Sequence, residues 1–194
     1  MINGENKNTK DVFGMKIIDK NAKEVAKIAE FEFNVKTYKV NKIYGSFGNP
    51  INKKYYEIDP NTIISIGDYL LIDTTVEKLS ENTLDKIPKA EQNDLKVNEA
   101  MGKTVLDAEG NTAGKVSNID IDFDNFEITN ITISKQTSSF GKKDVNVIHK
   151  DEIKGMGDYV IVDKVFNGET KDSEKEDKKE DESNEKVKVN INID

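Results

Sequence analysis

The sequence predicts an all-β protein: two small β-barrels in tandem, then a disordered acidic C-terminal tail. Three observations carry this expectation. A repeat divides the chain, apolar residues alternate at period two inside each repeat, and apolar side chains vanish abruptly after Phe166. At 194 residues with 35% apolar content, the chain has no material for one large core, so small units are expected.

The repeat is visible at both ends of each copy. Gly14-x4-Asp19 recurs as Gly102-x4-Asp107, Lys27-Ile28 as Lys115-Val116 and Ile43 as Ile131, all at the offset that separates Gly14 from Gly102. Further on, Ile63-x3-Gly67-Asp68-Tyr69-Leu70-Leu71-Ile72-Asp73 matches Ile153-x3-Gly157-Asp158-Tyr159-Val160-Ile161-Val162-Asp163, with the offset grown by two residues. The change must be absorbed between. Both copies hold Ser-Phe-Gly there, at Ser46-Phe47-Gly48 and Ser139-Phe140-Gly141, which read as matching loops of different length on one scaffold. The expected divisions are a disordered N-terminus over 1–11, a first barrel over 12–77, a linker over 78–97, a second barrel over 98–166 and a charged tail over 167–194.

Each element has a local reason. In the first copy Phe31, Phe33 and Val35 precede Tyr38, Val40 and Ile43, with a turn at Lys36-Thr37; Ala22 predicts a different turn type from its counterpart Gly110. Gly67 and Gly157 are expected to reverse the chain before the last strand of each copy. Asp68 with Tyr69, and Asp158 with Tyr159, would satisfy turn amides and close the barrel end, so replacing Gly157 with Val should strain the backbone. The linker is polar, broken by Pro88, with a helical turn at either end. In the second copy Gly102 turns the chain into the first strand, and Gly110 supplies a free φ within Asp107–Asn111. Val116, Asn118, Asp120, Asp122 and Asp124 then alternate with Ser117, Ile119, Ile121 and Phe123, and Asp124-Asn125 turns into the partner strand. From Glu169 through Lys186 no side chain is apolar, and such a segment cannot offset its chain entropy.

The run from Val97 through Asp107, then Glu109-Gly110-Asn111-Thr112-Ala113-Gly114-Lys115-Val116 and Ile119-Asp120-Ile121-Asp122, resembles the opening of a PRC-barrel domain, the small barrel named after the photosynthetic reaction-centre H subunit. Ile153-x3-Gly157-Asp158-Tyr159-Val160-Ile161-Val162 is similar to its end. The first copy departs from the pattern, with Ala22 and Ala26 where Gly is usual. The resemblance implies a barrel of about six strands that acts by binding. Free-standing archaeal members, some placed in the cell-division apparatus, are the context that suits this chain; ribosome-maturation factors are another.

Composition narrows the chemistry. With no cysteine and one histidine, His149, the chain offers no thiol nucleophile and no multi-imidazole metal site, so no catalytic residue, metal or cofactor is expected. A net charge of -8, with every basic residue a Lys, disfavours nucleic acid. Apolar runs such as Tyr69 to Ile72 are far shorter than the roughly 20 residues of a membrane helix, and the N-terminus has no signal pattern, so a cytoplasmic protein is expected. Gly102-Lys103-Thr104 lacks the upstream Gly of a phosphate loop, and Asp120, Asp122 and Asp124 lack the closing acid of a calcium loop, where Ile131 stands.

The expected function is therefore a non-enzymatic adaptor or scaffold working through protein-protein binding, in cell division or another assembly. An RNA- or ribosome-associated factor is the alternative, and homo-oligomerisation stays open. Candidate binding residues are Phe47 and Phe140, each a barrel plug or a partner anchor, and Tyr44, Tyr55 and Tyr56, which crowd the first copy alone. Val187, Val189, Ile191 and Ile193 share one face of an extended strand beyond the charged arm, suited to adding onto a sheet edge of this chain or a partner.

Overall fold

The computed structural model describes residues 6–136 and 143–166. Phe140, the tail over 167–194 and its apolar set Val187, Val189, Ile191 and Ile193 lie outside them. The first copy follows β1 (Asn6–Asn8) and the short helix α1 (Thr9–Val12) with β2 (Lys16–Ile18), β3 (Glu24–Asn34), β4 (Val40–Gly48), β5 (Lys53–Ile58), β6 (Ile63–Ile66) and β7 (Leu70–Ile72). Between the copies run α2 (Val76–Ser80), β8 (Thr83–Leu84), β9 (Asp94–Lys96) and α3 (Val97–Ala100). The second copy is β10 (Thr104–Leu106), β11 (Thr112–Asp122), β12 (Glu127–Gln136), β13 (Lys143–His149), β14 (Ile153–Met156) and β15 (Val160–Val162). The sheets have the same order, β6-β7-β2-β3-β4-β5 and β14-β15-β10-β11-β12-β13, so the fold is two all-β barrels of one type in tandem.

The expectation of a structureless start fails for residues 6–11. β1 pairs with β11 of the second copy, Asn6 opposite Asp122 and Asn8 opposite Asp120. The same element recurs before the second barrel: β9 pairs with β3 of the first copy, Asp94 opposite Asn34 and Lys96 opposite Glu32. The two long strands explain the exchange. β3 and β11 have 11 residues each, while the first strand of their own copy has three and pairs only near one end. Each arm supplies hydrogen-bond partners to the far end of the other copy's strand. The following helices α1 and α3 bury Val12, Thr9, Val97 and Ala100 completely.

The hairpins meet across a pseudo-twofold axis. Val40 N–H donates to Phe126 O at 2.7 Å, and Ile128 N–H donates to Tyr38 O at 2.8 Å, two bonds that exchange equivalent residues. Tyr38 and Phe126 both adopt positive φ, 59° and 48°. Between them Lys39 faces Glu127, their side chains 2.9 Å apart. The buried residues of both copies form one continuous cluster in which the ring of Phe31 lies edge-on to that of Phe123, centroids 5.9 Å apart.

The turns agree with the sequence in part. Asn34 and Asp122 accept backbone N–H groups from the residues two and three further on, holding the reversals at Lys36-Thr37 and Asp124-Asn125. Ala22 departs from expectation: its φ of 60° matches the φ of 84° at Gly110, and both copies close the same turn through Asp19 or Asp107. The alternation in β11 shifts at bulges, which bury Val116 and Asn118 together with Ile119 and Ile121. Gly67 and Gly157 are also corrected. Their φ is not in the left-handed region, and a Cβ at either would meet nothing, so the bend rests on Gly67 N–H to Tyr69 O, 3.1 Å, and Gly157 N–H to Tyr159 O, 2.9 Å. Tyr69 and Tyr159 are exposed, as are Asp68 and Asp158. Gly102 and Gly110 do occupy positive φ.

Asp19 and Asp107 sit in the turns that open the long strands. Burial opposes their charge, but backbone N–H groups of Lys23, Val76 and Asn21 on Asp19, and of Asn111 and Glu109 on Asp107, outweigh it and hold both carboxyls below the usual range. A depressed folded pKa gives stability that is complete above the unfolded value near pH 4 and is lost as pH falls through the folded value. Urea midpoints measured through this acid range should fall for the native chain and fall less for Asp107→Asn. Ala22→Gly should stabilise the protein by about 0.5–1 kcal/mol in urea unfolding, because a left-handed Cβ is relieved. Residues 5–79 and 93–166, expressed separately, should each melt below the tandem chain in calorimetry, since each loses the arm that completes its long strand; equal melting temperatures would refute mutual support.

Candidate protein-interaction surface

The two copies diverge most at the tips of β4 and β5. Register identifies the counterparts: Ser46 lies opposite Tyr55 as Ser134 lies opposite Val145, and Gly45 opposite Tyr56 as Ile133 opposite Asn146. Phe47 therefore corresponds to Lys135. The two Ser-Phe-Gly runs are not equivalent, because Ser139-Phe140-Gly141 falls in the connection between β12 and β13, outside the described residues. That connection, 137–142, is two residues longer than 49–52, which accounts for the change of offset.

At the first copy's tip Phe47 stacks on Tyr56, centroids 4.1 Å apart and planes 11° off parallel. Across the strand pair from Tyr56, the core closes over Gly45: a Cβ there would stand 2.8 Å from Ile17 Cδ1 and 2.9 Å from Ala26 Cβ. Phe47 is half-buried against the core, and its outer side walls a groove of about 600 Å³ reaching Val25, Lys27, Pro50 and Lys53. Beside it, Asn49 Oδ1 accepts the Ile51 and Asn52 amides at 3.0 and 2.7 Å. This turn presents Ile51 to solvent at 98% exposure. Nothing in the alternation of strands pointed to Ile51; the available signal was one apolar residue inside the turn sequence Asn49-Pro50-Ile51-Asn52.

The tyrosine cluster is not one surface. Tyr55 is half-buried, with Lys53 Nζ 5.7 Å from its ring centroid. Tyr56 is buried and bonded through its hydroxyl to Ser80, so it supports Phe47 and cannot itself be an anchor. Tyr44 is wholly buried: its hydroxyl donates to Glu32 Oε2 at 3.3 Å, and burial, reinforced by the Glu32 and Glu57 charges, raises its pKa. Nor did the sequence indicate that Glu30 and Glu32 are buried. Glu30 accepts the Asn98 amide and side chain at the start of α3, while burial pushes its pKa up. Glu32 Oε1 lies 3.3 Å from Lys42 Nζ, an ion pair without an aligned hydrogen bond. Glu30 thereby holds the exchanged segment in place, and all three groups are internal to the fold.

His149 ends β13 and caps the following turn, its Nδ1 accepting the Asp151 amide at 3.3 Å. Among the described residues no group of three or more His, Cys, Asp or Glu is placed to hold a metal ion, and no helix is long and apolar enough to cross a membrane. The family model described as PRC-barrel domain matches residues 5–79 and again residues 93–166, so both copies fit the pattern and the arms fall inside it. No curated protein matches the chain.

Proposed function

Because the chain belongs to the PRC-barrel family, carrying two copies of a non-catalytic fold that generally serves protein interaction, we propose that it is an adaptor whose partner docks at the β4–β5 tip of the first copy. The observation that carries this is the pairing of a preformed apolar wall, Phe47 on Tyr56, with an apolar side chain held out in solvent, Ile51. The wall is rigid because Tyr56 is packed from below. An aromatic surface that needs no ordering on binding retains more of its contact energy as affinity. The second copy has Lys135 and Asn146 at the positions of Phe47 and Tyr56, so among the described residues this aromatic pair belongs to the first copy.

The finer reading places this adaptor in the cytoplasm, serving the cell-division apparatus, as the resemblance to free-standing archaeal members suggests. The net charge of -8 and Lys-only basicity weigh against the RNA- or ribosome-associated alternative. Affinity purification from the native cell with wild-type chain, Ile51→Asp and Phe47→Lys tests both levels. Division proteins should be recovered with the wild type and lost by at least tenfold with Ile51→Asp, whose exposed position leaves the melting temperature unchanged. Ribosomal proteins or RNA in the wild-type eluate would overturn the finer reading; undiminished recovery with both variants would move the site elsewhere.

A further inference from the structure

The second copy's outer strand β13 pairs with β12 and, among the described residues, with no other strand. It exposes two neighbouring apolar side chains on one face, Val145 being 57% and Val147 58% exposed. Long apolar edges of this kind template unwanted pairing, and folded proteins commonly cover them. In the first copy the equivalent edge is covered: β8 lies along β5 with Leu84 opposite Tyr55, the residue that register equates with Val145. That covering strand comes from the chain that follows the first copy's last strand.

We propose that Val187–Ile193 adds to β13 as a further strand, closing the second copy's edge with the chain that follows it. The sequence of the segment fits the edge. Val187, Val189, Ile191 and Ile193 would lie beside Val145 and Val147, and the intervening Lys188 and Asn190 beside Asp144 and Asn146. The connection is long enough. The Phe166 amide bonds to Asp107 next to β10, and β13 lies three strand spacings away across β11 and β12, about 14 Å. The 20 intervening residues, 167–186, are several times the roughly five that an extended chain needs to cover that distance. Tethering at that range gives an effective concentration on the order of millimolar, which favours this segment over an untethered strand at micromolar concentration.

The absence of cysteine from the chain permits a direct test. Val145→Cys is combined in the full-length protein with cysteine at each position from Val187 to Ile193 in turn. Each variant is oxidised at low micromolar concentration and read by intact mass and non-reducing electrophoresis, since a disulfide forms readily only when the Cα atoms lie within about 7 Å. Monomeric cross-linking should peak at one of the four apolar positions and drop at least fivefold at its immediate neighbours. With Val147→Cys as the anchor, the peak should move by two residues. Equal rates at all seven positions, no monomeric cross-link, or a peak that does not move would overturn the proposal. Cross-linked dimers in place of monomers would also overturn it, assigning the edge to a second copy.

Discussion

The backbone of the two 11-residue strands constrains everything else in this protein. A strand that long carries more N–H and C=O groups than its three-residue neighbour can match, and unmatched groups in a packed interior are unfavourable by roughly 1–3 kcal/mol each. Exchange of β1 and β9 provides partners to both strands at once. It also places α1 and α3 over the ends of the opposite barrel, where their apolar residues join a core shared by the copies. Two domains of this size would each have a marginal interior; joined this way they have one larger one. The buried Glu30 follows from the same arrangement, because the exposed amides at the start of α3 call for an acceptor from the other copy.

Much of this was legible because turns are local. The Asp that opens each long strand bonds amides two and four residues on, the Asx reversals act over two or three, and the repeat displays both devices twice. What crosses between copies left little trace. Asn6–Asn8 is polar because it is a short edge strand rather than because it lacks structure, and polarity alone does not separate the two cases. Ala22 misled because the turn imposes its geometry on a residue that prefers another, at a small penalty that the Asp19 hydrogen bonds offset. The repeated Ser-Phe-Gly misled differently: identical tripeptides near one another drew an equivalence that only strand register could break. Tyr44 was out of reach, since its burial sets its hydroxyl against Glu32 and Glu57 on the two flanking strands, a polar environment that alternation does not reveal.

Duplication also separates the tasks of the two barrels. Gly45 and Tyr56 in one copy, and Ile133 and Asn146 in the other, occupy the same two positions, the bulk being buried in Tyr56 in the first and in Ile133 in the second. Both arrangements fill a core. Among the described residues, the first creates an aromatic platform. Stability could therefore be maintained by the pair while one tip changed freely.

The charge pair at the pseudo-twofold carries a consequence for self-recognition. Lys39 and Glu127 occupy the same position in their respective copies and meet across the axis. Were two first copies from separate molecules to associate through this junction, Lys would confront Lys; two second copies would set Glu against Glu. Lys39 is half-exposed, whereas Glu127 is mostly covered and also pairs with Lys150, so the net attraction across the axis is on the order of 1 kcal/mol or less, and a like pair would lose it. The bias is small, but opposite charges at one symmetry-related position favour the unlike pairing of halves over either like pairing.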